Sequence, residues 1–377
     1  MSVHPWSSRE WAAAHPRGWR WPGGRAALAT ASWLTSPLSP DDYLGLLDPL
    51  WSARHPAGRI TAVRPEGPAA VTLAIRPGRG WRGHRAGQYL PLGVEIDGVR
   101  HWRTYSLTSP PDGGSTEVTV TVKAHPDGRV SPHLVHRARP GTVLRLGPAQ
   151  GEFVLPEPLP ERLLFVTAGS GITPVMAMLR ALARRPGTAP DILLLHSAPT
   201  PADCLFRTEL RFLESRLPRL AVHLTHTRTA GRLTADRIAA HCPDWRDRDT
   251  WVCGPAGLLD AAERQWAAAG ARERLRVERF HLTPARAVGE DTAGGRVRFE
   301  RSGVSTEATG AEPLLAVGEA AGVPMPHGCR RGLCFGCLVP LLDGRIRDLR
   351  TGELHGNPGE LIQTCVNGAA GPLVLDL

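Results

Sequence analysis

The sequence predicts a multidomain protein: an antiparallel barrel or sandwich, then an α/β domain on a parallel sheet, then a small α+β domain that holds a metal. Three observations carry this expectation. Residues 56–155 read as short β-like runs at regular spacing, separated by Gly, Pro and Asp, the pattern of an antiparallel barrel or sandwich. From residue 162 apolar strand-like runs alternate with segments of helical spacing, which argues for an open parallel sheet. Near the end, GCRRGLCFGC (328–337) groups Cys329, Cys334 and Cys337, and Cys365 follows.

Composition narrows the function. The 377 residues suffice for several domains. The formal charge is +9, and nearly all basic residues are Arg, since Lys123 is the only lysine. The arginines are scattered rather than gathered on one element, which argues against a nucleic-acid partner. A phosphate-bearing cofactor or an acidic protein partner accounts for the excess equally well. Of seven cysteines, three are isolated and four grouped, unlike a secreted disulfide framework. MSVHPWSSREW lacks a charged region followed by an apolar run, and no stretch reaches the roughly 18 apolar residues of a membrane span. A cytoplasmic protein is expected.

In chain order, residues 1–55 form an arm with six of the eleven tryptophans: Trp6, Trp11, Trp19, Trp21, Trp33 and Trp51. Two uses fit it, packing onto the next domain or serving as a docking surface, because Trp and Arg are common interface anchors. The barrel strands are read in RITAVRPE, AAVTLAIRP, GVEIDGVRHWRTYSLTS, TEVTVTVKAH and TVLRLGPA. RLLFVTAG (162–169) then reads as a buried strand and PVMAMLRALARR (174–185) as a helix. ILLLHSA, a helix around CLFRTELRFLESRL, LAVHLT, TWVCG and a helix over 256–269 continue the alternation. Residues 285–295, rich in small side chains, read as a linker. GRVRFERSGVSTEAT reads as a hairpin, EPLLAVGEAAG as a short helix, and the cysteine loop follows.

Three motifs carry chemistry. The cysteines are spaced C-x4-C-x2-C with a distant fourth. Structural zinc usually arrives as two close pairs; three ligands on one loop and one from afar is the plant-type [2Fe–2S] arrangement. Zinc remains the alternative on spacing alone. Phe335 stands where such loops usually carry a small residue, which bears on solvent access and not on ligation. In VTAGSGITPVMAML (166–179), Gly169 and Gly171 end a strand and open a helix, so backbone amides can meet a pyrophosphate. VCGPAG (252–257) repeats that arrangement; either loop alone reads equally as an ordinary strand-to-helix turn, and two on one sheet edge point to a nucleotide crevice. RTYS (103–106) sets a guanidinium beside an aromatic and a hydroxyl, a set suited to a flat ring carrying phosphates. Alone, that tetrapeptide reads equally as a strand with a paired Arg and a core Tyr.

Together these residues make 56–377 resemble the ferredoxin–NADP reductase family with a plant-type ferredoxin fused at the C-terminus. The resemblance implies a flavin-binding antiparallel β-barrel at 56–155, an NAD(P)-binding α/β domain at 156–284, and an α+β, β-grasp [2Fe–2S] ferredoxin domain at 296–377. In that family R-x-Y-S binds flavin. Arg103 would meet the phosphate, Tyr105 the ring and Ser106 the region near flavin N5, with Thr104 between them and Gln88 on the preceding strand, GQYLPLG. GRVSPHL resembles the family's Gly-x-x-Ser helix start, placing Gly128 and Ser131 at the pyrophosphate, which implies FAD; an FMN-binding branch shares the domain order. GSGITP resembles the nicotinamide dinucleotide loop, giving Gly169, Gly171, Ile172, Thr173 and Pro174 as binding residues. CGP gives Cys253, Gly254 and Pro255, with Cys253 beside the nicotinamide. Ser106 and Cys253 are the catalytic candidates, and Cys329, Cys334, Cys337 and Cys365 the cluster ligands. No acidic residue after ILLLHSA is placed for a ribose 2′-hydroxyl, while Arg228 and Arg232 suit a 2′-phosphate, so NADPH is expected ahead of NADH.

The resemblance implies a reductase that passes electrons to an oxygenase, hydroxylase or acyl desaturase, with peripheral contact to a membrane-bound partner. A Rieske-type ring hydroxylase comes second as acceptor and a haem monooxygenase third. A reading from another class is a non-catalytic redox sensor, but a sensor has no need of the hydride path that the GSGITP and CGP segments provide.

Overall fold

Runs of β-branched and apolar residues between Gly-rich turns build the first half of the unit His55–Thr283, one of two compact units in the computed structural model; the other takes in Met1–Arg54 and Pro284–Leu377. The structure describes residues 44–45, 47–52, 56–111, 116–126, 128–187, 189–280, 294–327, 330, 332, 336–350 and 352–377. Of the Trp-rich arm only Trp51 is among these, 44% exposed at the end of a short 3-10 turn, Pro49–Trp51. Trp6, Trp11, Trp19, Trp21 and Trp33 lie outside the described residues, as does the linker up to residue 293.

The barrel strands are β1 (Ala57–Pro65), β2 (Ala70–Pro77), β3 (Tyr89–Ile96), β4 (Val99–Ser106), β5 (Val118–Lys123) and β6 (Val143–Leu146), with helix α1 (Val130–Arg137) after β5. They run β4-β3-β6-β1-β2-β5, and every pairing is antiparallel. The two ends of that order meet. Leu107, just past β4, bridges Val120 of β5, and the Thr108 amide donates to the Thr119 carbonyl at 2.8 Å. Closure leaves no free edge. Alternate residues such as Ile60, Leu73, Ile75, Leu90, Leu92, Val120 and Val122 fill the interior.

The second half alternates β7 (Arg162–Ala168), α2 (Thr173–Leu182), β8 (Asp191–Ala198), α3 (Arg207–Arg216), β9 (Leu220–His226), α4 (Thr227–Ala230), α5 (Ala235–His241), β10 (Asp249–Cys253), α6 (Ala256–Ala268) and β11 (Leu275–Glu278). All pairings are parallel, in the order β11-β10-β7-β8-β9. Both faces are covered, as a parallel sheet requires. Leu163 and Phe165 enter a core with α2 and α3, and Leu164 and Val166 enter another with α5 and α6. The first core also takes in Ala70, Ala86 and Phe153, so the barrel and the sheet share buried apolar surface.

The other unit holds β12 (Gly295–Phe299), β13 (Val304–Ala308), α7 (Leu314–Ala320), β14 (Leu338–Asp348), β15 (Leu354–His355), β16 (Leu361–Gln363) and β17 (Asn367–Leu375). Its sheet runs β13-β12-β17-β14-β15, with β16 on β14. β12 pairs β17 in parallel and the other pairings are antiparallel. This mixed sheet with the short helix α7 beside it is the α+β form that the sequence predicts.

Candidate active site and cluster loop

The order of the parallel sheet fixes where a nucleotide can bind. β7 is central, the chain next adds β8 on one side, and it later returns to add β10 on the other. The crevice between β7 and β10 is therefore the switch point, where loops at the carboxyl ends part to opposite faces. Thr167 pairs Cys253 across it, which brings the GSGITP and CGP loops side by side. Their approach demands glycine. A Cβ on Gly171 would overlap the Cys253 carbonyl and lie 2.6 Å from its carbon; one on Gly254 would lie 3.1 Å from Ala168 Cβ.

Gly169 sits at φ 56 and opens a 3-10 turn, Gly169–Ile172, that leads into α2. The Thr173 hydroxyl donates to the Ser170 carbonyl at 2.9 Å, and Pro174 occupies the first helical turn, where it costs no hydrogen bond. Ile172, at the N-cap, gives no side-chain cap, so the amides of the first turn and the positive end of the helix suit an anion. Pro255 holds the corresponding N-cap of α6.

On the barrel, β4 ends in Arg103, Thr104 and Tyr105, all half-buried, and Ser106, only 5% exposed. Arg103 donates to the Trp102 carbonyl at 2.7 Å, and Tyr105 packs against the barrel core. Ser106 Oγ is buried without a hydrogen-bond partner, a cost the protein carries and one that a ligand atom at this strand end would relieve. Gln88 lies next to it, its carbonyl accepting the Leu107 amide at 2.9 Å. The Gln88 side chain is spent locally: Oε1 accepts the Arg85 amide at 2.8 Å and Nε2 donates to the Gly151 carbonyl at 3.3 Å. At the start of α1 the His125 amide donates to Ser131 Oγ at 3.1 Å, and a Cβ on Gly128 would lie 3.0 Å from that oxygen. Gly128 and Ser131 thus form one tight turn beneath the helix start.

Cys253 is fully buried. Its parallel register partner is Glu278, and the thiol points at Glu278 Oε2 from 3.9 Å. Burial pushes the Glu278 carboxyl up to about 8; burial and this neighbour raise the thiol well above its usual value. Both shifts favour the protonated, uncharged forms of the pair. The sequence reading missed Glu278. The available signal was RVERF, a strand placed to follow α6 and therefore to lie beside TWVCG.

Arg228 and Arg232 are exposed around α4, near the carboxyl end of β9. The Arg228 amide donates to the Pro199 carbonyl at 3.2 Å, past the end of β8. Arg237, which the sequence reading did not single out, gathers the Ala230, Gly231 and Arg232 carbonyls with one guanidinium nitrogen, and Gly231 turns the chain at φ 76. Arg237 thereby shapes the loop that presents the other two.

In the second unit, Cys329 and Cys334 lie outside the described residues. Cys337 and Cys365 are buried, with Sγ atoms 3.2 Å apart. The Gly332 amide donates to Cys365 Sγ at 3.2 Å. Gly332 has φ 69, and a Cβ there would lie 2.8 Å from both Val366 Cγ1 and Arg350 Nη1. The Thr364 hydroxyl holds the Cys337 carbonyl at 3.0 Å. Two thiols side by side, an amide aimed at sulfur and a glycine-only bend fit a thiolate-held cluster. No group of three or more His, Cys, Asp or Glu suited to another metal occurs among the described residues.

Comparison with known proteins decides the family. Models for an oxidoreductase FAD-binding domain, an oxidoreductase NAD-binding domain and a 2Fe-2S iron-sulfur cluster binding domain match residues 80–155, 165–264 and 297–366. An "NADPH oxidoreductase" of Mycobacterium tuberculosis is 50% identical over 361 residues, 95% of this chain and 94% of that protein. The chain belongs to the ferredoxin–NADP reductase family, with a C-terminal [2Fe–2S] ferredoxin domain. It is an oxidoreductase. The stachydrine N-demethylase reductase subunit Stc4 of Rhizobium meliloti is 27% identical over 323 residues, 81% of this reductase and 90% of that protein. A glycine betaine monooxygenase reductase subunit of Chromohalobacter salexigens is 29% identical over 289 residues, 70% and 78% of the two chains. Phthalate dioxygenase reductase shares the fold, with a TM-score of 0.58 at 23% identity over 85% of this chain and 97% of that one. The cysteine loop therefore belongs to a [2Fe–2S] domain and not to a zinc site, and no described helix of the reductase is long and apolar enough to cross a membrane.

Proposed function

We propose that this reductase takes electrons from NADPH and delivers them singly to a partner oxygenase, hydroxylase or acyl desaturase, using residues 56–155 for FAD, 156–284 for the nucleotide and 296–377 for the cluster. When bound, FAD would supply the exchange between a two-electron hydride and single electrons, and the [2Fe–2S] cluster one-electron carriage. The carrying observation is the packing of Gly171 on Cys253 at the switch point, which merges two nucleotide loops into one crevice.

The protein's own part is to bind, to orient and to keep water out. The amides of 169–173 and the α2 terminus would take the pyrophosphate. Cys253, fully buried, and Glu278, half-buried with its carboxyl raised, would give the nicotinamide end a wall of low charge. Ser106 Oγ offers its unused bond to the flavin edge, with Arg103 and Tyr105 toward phosphate and ring, and Gly128 and Ser131 at the pyrophosphate. Cys329, Cys334, Cys337 and Cys365 hold the cluster. Arg228 and Arg232 support NADPH over NADH, as does the similarity to the Mycobacterium tuberculosis NADPH oxidoreductase.

The acceptor reading is supported by relatives whose names make them reductase subunits of a demethylase and a monooxygenase. A membrane-bound acyl desaturase or hydroxylase, with the Trp-rich arm at a peripheral contact, is the first acceptor to try, and a Rieske-type ring hydroxylase the second. The cytoplasm is the expected location. An anaerobic visible titration tests the scheme. Flavin and cluster absorption should bleach with about one and a half equivalents of NADPH, two electrons to flavin and one to cluster. Flavin bands without a cluster, or no bleaching by either nucleotide, would overturn it.

A further inference from the structure

We propose that Arg180 is a positioning residue for hydride transfer: it ties the helix opening on the nucleotide loop to the strand end that presents Ser106. The inference rests on the flavin and nicotinamide reading above and adds the part that sets their mutual approach.

Arg180 lies in the last turns of α2, with its side chain 17% exposed. Nε and Nη2 grip the two carboxylate oxygens of Glu209 on α3 at 2.7 and 2.6 Å. That fork already balances the charge, as bidentate pairs do. Nη1 does something else. It leaves the sheet domain and donates to the Thr108 carbonyl at 2.6 Å.

Thr108 is fully buried, two residues past Ser106. Its own amide and hydroxyl are both held by Thr119 at 2.8 Å, so the carbonyl cannot follow Arg180 without moving the barrel closure. The Phe206 ring covers the guanidinium at 5.2 Å. Phe206 is locked at φ 58, and its amide bonds Glu66 on the barrel, which also accepts from Thr72 at 3.0 Å. Elsewhere on this boundary the Trp251 indole N–H donates to the Val154 carbonyl at 3.3 Å, and other approaches are van der Waals: a Cβ on Gly67 would lie 2.9 Å from the Ala202 carbonyl, and one on Gly87 2.5 Å from Met178 Cε. Van der Waals surfaces fix separation and let elements slide. A charge-assisted bond to a fixed carbonyl sets position along the helix.

The lever is short. Nine residues separate Gly171 from Arg180, roughly 13 Å at 1.5 Å per residue. Slippage of about 1 Å at Arg180 arrives almost undiminished at the nucleotide loop, and misplacement on that scale costs on the order of 10²-fold in rate.

The test uses the full chain loaded with FAD and cluster, in Arg180→Ala, Arg180→Lys and Glu209→Gln forms. For Arg180→Ala, flavin reduction at saturating NADPH should slow about 10- to 100-fold, with FAD content and the NADP+ dissociation constant unchanged. Arg180→Lys should recover part of the rate, because an ammonium reaches the carbonyl without forking Glu209. Glu209→Gln should keep the rate near wild type while lowering thermal stability. Without nucleotide, the amides of 107–109 and of α2 should exchange hydrogen faster in Arg180→Ala. Three results would overturn the proposal: a wild-type saturating rate in Arg180→Ala, slowing that merely tracks FAD loss, or equal slowing in Glu209→Gln. If the alanine variant does not fold, Arg180→Met, which keeps the stem and removes every donor, takes its place, and a full wild-type saturating rate in it overturns the proposal. Failure of NADPH and NADH to reduce the wild-type flavin would sink the underlying reading instead.

Discussion

Replacing Gly171 by alanine puts a methyl group onto the backbone of the neighbouring loop. The added Cβ would overlap the Cys253 carbonyl, lie 2.6 Å from its carbon and 2.9 Å from the Gly254 nitrogen. Carbon contacts are comfortable from about 3.5 Å, so the loops must part by roughly 1 Å. Neither can yield cheaply, because Cys253 is fully buried and paired to Thr167 and Glu278. Overpacking of this kind costs about 1–3 kcal/mol. In a unit of this size each kcal/mol lowers the melting midpoint by about 2–4 °C. The kinetic effect should be larger than the thermal one, since a 1 Å misplacement costs on the order of 10²-fold. Anaerobic stopped-flow mixing with saturating NADPH should show flavin reduction slowed about 100-fold, with normal FAD and cluster absorption. A wild-type rate in a stably folded Gly171→Ala protein would refute the claim that the two loops form one crevice.

The Glu278 carboxyl is held near 8 in the fold against an ordinary value of 4.5. The folded state therefore binds the extra proton between those values, and stability should fall as pH rises from about 4.5 to 8, then level off. Denaturant melts across that range should show the slope in wild type and lose it in Glu278→Gln; the same slope in both would assign it elsewhere. Alanine at Arg228 and Arg232 together should raise the KM for NADPH about tenfold or more, the equivalent of 1.4 kcal/mol, and leave that for NADH nearly unchanged. Parallel loss with both nucleotides would refute the 2′-phosphate role. Cys365→Ser should abolish NADPH-dependent cytochrome c reduction while flavin reduction persists in single turnover, and full cytochrome c activity would refute its place as a cluster ligand.

Most of the fold was legible because its periods are strong. RLLFVTAG and ILLLHSA are continuous apolar runs, as strands buried on both faces must be, and they are β7 and β8. The hairpin in GRVRFERSGVSTEAT is β12 and β13, and the helix in EPLLAVGEAAG is α7. The segment between LAVHLT and TWVCG was not read as helical. It nevertheless holds α5, where the Thr234 side chain accepts the Arg237 amide at 3.4 Å and Ile238 alone is buried. One apolar anchor over seven residues gives no periodic signal, so tertiary packing decides that helix.

The site divides along the same physical line. Motif residues whose task is backbone geometry, Gly169, Gly171 and Gly254, announce themselves, because only glycine tolerates the bends and close approaches they make. Residues whose task is relational do not. Glu278 matters because parallel register sets it beside Cys253, twenty-five positions earlier in the chain. Arg180 matters because a barrel carbonyl seventy-two positions earlier ends at its guanidinium. In local sequence, MLRAL is an ordinary amphipathic helix with a surface arginine, and RVERF an ordinary strand with a charged residue. Burial gives these side chains new chemistry, a neutral acid in one case and a directional strut in the other, and burial belongs to the pairing of distant segments. The motif glycines say where nucleotides bind; how tightly the two halves of the chemistry are held together is carried by side chains that no motif marks.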